Sequence, residues 1–72
     1  MTVDIKSIMS GSVWKINVSK GDLVTEGTDL VILESMKMEV PIEATEDGIV
    51  KEILVSEGEF VSEDDVVVVI DK

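Results

Sequence analysis

The tripeptide Met36-Lys37-Met38, bracketed by Glu34 and Glu39, is the place in this 72-residue sequence where residue type and spacing suggest chemistry. A lysine amine can be acylated by a separate enzyme if it projects into solvent, is reachable when neutral and sits on a rigid support whose shape that enzyme can recognise. Flexible, polarizable methionines on either side can pack partly against a turn and present a soft apolar rim. Acylation would remove one positive charge from a chain whose formal net charge is −10. The plain alternative is an ordinary hairpin lysine with two methionines plugging the end of a barrel. As a bare tripeptide, Met-Lys-Met favours that second reading, and its position in the chain has to decide the matter.

Other chemistries fall away by subtraction. The chain has no His, Cys, Tyr or Arg, so it offers no Ser-His or Cys-His nucleophile and no thiolate or imidazole metal site. Its sixteen carboxylates read singly as a solvated acidic surface. Glu63-Asp64-Asp65 is the densest acidic run, but its spacing lacks a complete oxygen cage for Ca²⁺ and a polar bend accounts for it. The charge of −10, with only six lysines, excludes phosphate-backbone binding and makes nucleic acid an unsuitable partner. It also opposes self-association, so a monomer is expected, and it favours a partner with a basic docking face. The longest apolar run, Val66 to Ile70, is far too short to span a bilayer. Strand-like sequence begins at Met1-Thr2-Val3, and a cytoplasmic protein is expected.

The elements that must position Lys37 are strands. Of the 44% apolar residues, 21 are Val or Ile and only four are Leu, and branching at Cβ suits a pleated sheet. Only Trp14 and Phe60 supply large aromatic area, so stability should come from cross-strand burial of Val and Ile. A shift of 37 positions lays residues 10–34 over 47–71, with identities at Gly11/Gly48, Val13/Val50, Ile16/Ile53, Val18/Val55, Ser19/Ser56, Gly21/Gly58, Val24/Val61, Glu26/Glu63 and Val31/Val68. Each unit reads as a strand, a Ser-x-Gly-acid turn, a short apolar segment, a polar bend and a second strand. Gly21 and Gly58 suit turn positions with φ > 0. Leu30–Leu33 and Val66–Ile70 alternate least and are expected as core strands. No segment carries a 3.6-residue period with caps, so no substantial helix is expected. Two equivalent units around one core predict an all-β, pseudo-two-fold sandwich or flattened barrel, one domain over residues 1–72.

The repeat leaves residues 35–46 as a connector, and Lys37 falls there between strands expected at Val31–Glu34 and Val40–Ala44, at or beside a hairpin tip. A turn there lacks the Asn-Gly or Asp-Gly that would make a tight two-residue hairpin easy. Something other than turn propensity has selected these residues. The other lysines, Lys6, Lys15, Lys20, Lys51 and Lys72, fit strand-face, turn or terminal positions.

Glu34-Ser35-Met36-Lys37-Met38, with Gly11 before the second strand and Gly48 after the connector, resembles the biotinyl/lipoyl attachment domains, and the likeness covers essentially the whole chain. It looks like a minimal, stand-alone biotin carboxyl carrier-like protein. The resemblance implies two quasi-symmetric four-stranded antiparallel sheets with the attachment lysine on a hairpin at midpoint. It also implies covalent biotin on Lys37, with Glu34, Ser35, Met36, Met38 and Glu39 as candidates for recognition by a biotin protein ligase. The biotin would act as a swinging arm between biotin carboxylase and carboxyltransferase partners, the chain itself being non-catalytic. Ser35 stands where biotin domains usually carry Ala. Lipoyl domains commonly have Asp before the lysine and a small or β-branched residue after it, so Met36 and Met38 favour biotin. Lipoate on the same lysine, serving 2-oxo acid dehydrogenase-type complexes, is the second carrier reading. A non-carrier acidic β interaction module with unmodified Lys37 is the alternative of another class.

Overall fold

The structure, a computed structural model, describes residues 1–72 and consists of eight strands without a helix. They are β1 (Thr2–Lys6), β2 (Gly11–Ile16), β3 (Leu23–Val24), β4 (Asp29–Ser35), β5 (Met38–Glu43), β6 (Gly48–Ile53), β7 (Phe60–Val61) and β8 (Val66–Asp71). Two antiparallel sheets form, ordered β1-β8-β6-β3 and β5-β4-β2-β7. The core between them is aliphatic throughout, with Leu30, Leu33, Ile42, Val67, Val68 and Ile70 at its centre. Burying a side chain of this size stabilises by roughly 1.5–3 kcal/mol. As expected, β4 and β8 are the core strands, although Ile32 and Val69 stay half-buried because each lies on the outer face of its sheet. Neither aromatic ring enters the core, since Trp14 and Phe60 are both exposed.

The pseudo-two-fold relationship runs further than residues 10–34. Val3 pairs with Ile70 as Val40 pairs with Leu33, and Ile5 pairs with Val68 as Ile42 pairs with Val31. The repeat unit is therefore 1–34 and 38–71, and β5 is the symmetry mate of β1 rather than part of a connector. Only Ser35, Met36 and Lys37 join the two units. The spacing of 37 continues through β1 and β5 with identities at Met1/Met38, Val3/Val40 and Ile5/Ile42, while Ser7 stands for Ala44 and Asp4 for Pro41; Ile5 and Ile42 are equally buried.

The halves interlock. β3 of the first unit pairs with β6 of the second, and β7 of the second pairs with β2 of the first. Hydrogen bonds between them come in mirrored pairs, such as Gly21 N–H to Val50 O at 2.8 Å and Gly58 N–H to Val13 O at 2.7 Å. Neither unit can complete its sheet alone, so the core forms only when both are present. Gly21 and Gly58 take φ of 95° and 88°, as the turn chemistry requires. The acids that follow them close the turns, Asp22 accepting from Ser19 N–H at 2.8 Å and Glu59 from Ser56 N–H at 2.9 Å. Asp65 does the same for Ser62 N–H at 2.9 Å, which accounts for a carboxylate in the 63–65 run as part of a bend.

Candidate functional site

β4 and β5 form a hairpin whose last pair is Ser35 with Met38, leaving Met36 and Lys37 as a two-residue loop. Their φ angles are 50° and 68°, both left-handed, which is the signature of a type I′ turn. The tight turn thus forms without Asn or Gly, and each side chain held there costs about 1–2 kcal/mol relative to right-handed backbone. The strain is borne by the ladder below it, which is paired from Asp29/Glu43 up to Ser35/Met38 with one register shift near its base. Backbone twist dictates this conformation, because a type I′ loop follows the right-handed twist of the strands it joins.

The methionines do not pack against the turn. Met36 is 92% exposed and Met38 63% exposed, so neither plugs the barrel, and both thioethers stand in solvent beside Lys37. With both turn residues at positive φ, their side chains splay away from the body and find no neighbour to cover them. Lys37 is exposed too, and its amine makes no hydrogen bond or ion pair.

Beneath the turn, Glu34 and Glu39 face each other across β4 and β5, both exposed. Directly opposed like charges destabilise a sheet pair. The equivalent pair in the other half is Thr2 with Asp71, so the repeat does not carry this doubled negative charge over, although Asp29 and Glu43 oppose each other at the far end of the same ladder. Ser35 is half-buried. Gly11 lies against the same segment: a Cβ there would stand 3.0 Å from the Glu34 carbonyl oxygen and 3.5 Å from Ser35 Cβ. The glycine lets β2 approach the base of the hairpin closely.

The lysine stands at one end of a molecule 34 Å long and 17 Å wide. β5 runs from the turn to Glu43, and a few residues on Gly48 packs on Asp71, so the chain termini occupy the opposite end. There Lys72 N–H bonds Met1 O at 2.9 Å, repeating the Ser35/Met38 frame, and both ion pairs of the protein, Lys72 with Glu46 and the N-terminus with Asp71, are found there. The cleft of the surface, about 600 Å³ and open, lies between β1 and β5 near Ile5 and Ile42, away from the turn. A group attached to Lys37 would be held out in solvent, and the tip fits such a group because nothing competes for the amine. Every candidate residue, Glu34, Ser35, Met36, Lys37, Met38 and Glu39, is thus gathered in one hairpin end. Sequence reasoning missed that Ser12 links this end to Phe60, pairing with Glu34 on one side and Phe60 on the other. A bulge at Trp14 hides that row from simple alternation.

Comparison with known proteins agrees with this geometry. Residues 3–70 match the biotin/lipoyl family model, described as "Biotin-requiring enzyme". The chain is 52% identical over 68 residues to the biotin/lipoyl attachment protein of Bacillus subtilis, covering 94% of this chain and 90% of that one. It is 41% identical over 70 residues to a biotinylated protein TB7.3 homolog of Mycobacterium leprae, covering 97% and 99%. Among solved structures, the urea carboxylase of Kluyveromyces lactis contains a match with a TM-score of 0.93 and 35% identity, covering 99% of this chain but only 6% of that much longer one. With the two-sheet fold, the midpoint hairpin and a family match over nearly its whole length, the chain belongs to the biotin/lipoyl attachment family, a family of carrier domains.

Proposed function

We propose that Lys37 is the attachment residue, that it carries biotin, and that the biotinylated domain shuttles a carboxyl group between a biotin carboxylase and a carboxyltransferase. The observation that carries this reading is the unpartnered Lys37 amine on a strained two-residue turn, at the one joint that the internal symmetry leaves free. In the loading step the neutral amine attacks the carboxyl carbon of biotin activated by ATP in a ligase. A C–N amide bond forms, the bond to the activating group breaks, and the nitrogen gives up one proton. Once bound, biotin supplies the carboxyl-carrying nitrogen.

The chain's own residues do the positioning. The β4–β5 ladder fixes the Lys37 Cα, Met36 and Met38 offer an apolar rim to the ligase, and Glu34 and Glu39 offer charge. Tethering replaces free diffusion by a high local concentration at each partner site. Relatives named for biotin and a like fold within a urea carboxylase support this choice of cargo and partners. Lipoate is a second reading, favoured by the name of the Bacillus subtilis relative, which pairs both groups. The test is intact mass after co-expression with a biotin protein ligase. One biotinyl group on the wild-type chain and none on Lys37→Ala is expected, and uptake by Lys37→Ala would overturn the assignment.

A further inference from the structure

The two aromatic residues of this protein share one face of one sheet. Phe60 pairs with Ser12 across β7 and β2, and Trp14 lies two residues along β2, beside Gly58. Diagonal neighbours of this kind have Cα atoms about 7–8 Å apart, within reach of large rings. Both rings point outward, because Val13 and Val61 beside them are 2% exposed while Trp14 and Phe60 are 48% and 65% exposed.

This is the sheet that carries Lys37. From strand spacing and rise, Phe60 lies about 10–15 Å from the tip. Ile32 and Pro41 continue the apolar surface across the same face, and Glu34, Glu39 and Glu43 rim it against a single cation, Lys15. The other sheet is the internal comparison. There Leu23 takes the place of Phe60 and Lys51 that of Trp14, and Leu23 with its partner Ile49 lies at the end holding the termini. The aromatic pair and the opposed glutamates break the repeat on the same sheet, at the lysine end.

We propose that Trp14 and Phe60 form a docking surface for the enzyme that acylates Lys37, received by an apolar pocket flanked by basic side chains. This rests on the acylation of Lys37 proposed above. The acidic rim demands a basic counterpart. Buried aromatic anchors dominate the energy of such interfaces, and a footprint of about 800 Å² per partner is wide enough to cover the tip and both rings together. The ligase alone has to address the bare lysine side chain, which confines it to this end of the domain.

The experiment is steady-state biotinylation of the whole chain by a purified bacterial biotin protein ligase with ATP and biotin, comparing wild type, Trp14→Ser/Phe60→Ser and Leu23→Ser. All three side chains removed are exposed, so thermal melts should coincide within a few degrees. The expected result is at least a tenfold rise in KM for the double variant, with kcat within about twofold, and wild-type kinetics for Leu23→Ser. Raised salt should lift the wild-type KM as well. Equal KM for wild type and double variant overturns the docking surface while leaving Lys37 acylation standing. An equal rise for Leu23→Ser overturns it also, since the effect would then be general. Wild-type dimerisation lost in the double variant, with loading unchanged, would assign the face to a second copy instead. A wild-type chain that takes up no biotin removes both this inference and the reading beneath it.

Discussion

Gly11 supports Glu34 through empty space: a Cβ on residue 11 would meet the Glu34 carbonyl oxygen at 3.0 Å, and only glycine lets β2 run this close to the hairpin that holds Lys37. Its mate Gly48 is tighter still, with the same hypothetical atom 2.6 Å from Asp71 O and 2.5 Å from Ile70 Cγ2. Overpacking of this kind costs about 1–3 kcal/mol. Gly48→Ala should therefore lower the unfolding midpoint more than Gly11→Ala does, while Gly11→Ala should be the one to slow biotin loading. Urea melts and loading rates on the two variants check the pair of outcomes.

The turn itself is expected to be chosen against stability. Replacing Met36-Lys37 by Asn-Gly gives the type I′ turn the residues it prefers and relieves two strained side chains. A gain of about 1 kcal/mol corresponds to roughly 4–8 °C in Tm for a domain of this size. Calorimetry should show the rise, and mass spectrometry should show a protein that takes up no biotin.

Glu34 and Glu39 make a similar trade. Glu39→Thr removes a like-charge pair and places a β-former in β5, so it should stabilise by about 0.2–1 kcal/mol. If a basic ligase surface reads that charge, the same variant should raise KM for loading, and the KM difference should shrink as salt is raised.

The pseudo-two-fold symmetry of the core makes a further expectation. Leu33 and Ile70 are equivalent and wholly buried, so Leu33→Ala and Ile70→Ala should each cost about 2–5 kcal/mol and agree with each other to within about 1 kcal/mol. Denaturant titration at fixed temperature measures both. Because the halves interlock, loss on either side should unfold the whole chain in a single transition.

Much of this was legible from residues alone. Val and Ile content, the Gly21 and Gly58 turns and the 37-residue repeat announced a two-fold β-sandwich, and Leu30–Leu33 and Val66–Ile70 announced its central strands. The equivalence of β1 and β5 was also within reach, since Met1/Met38, Val3/Val40 and Ile5/Ile42 keep the spacing of 37, but the substitutions between them, such as Ser7 for Ala44, interrupt the match. The turn at Met36 and Lys37 contradicted its local propensity because the ladder below imposes the twist. The exposure of Met36, Met38, Trp14 and Phe60 was invisible for a different reason. Apolar residues on an outer face look the same in sequence as core residues, and the bulge at Trp14 sets two successive side chains outward.

The most direct measurement is tandem mass spectrometry of the protein from its native source, reading the fragment series across Ser35-Met36-Lys37-Met38. A biotinyl group on Lys37 and on no other lysine is the expected result. An unmodified Lys37 throughout, or biotin on any of Lys6, Lys15, Lys20, Lys51 or Lys72 in its place, would contradict the account.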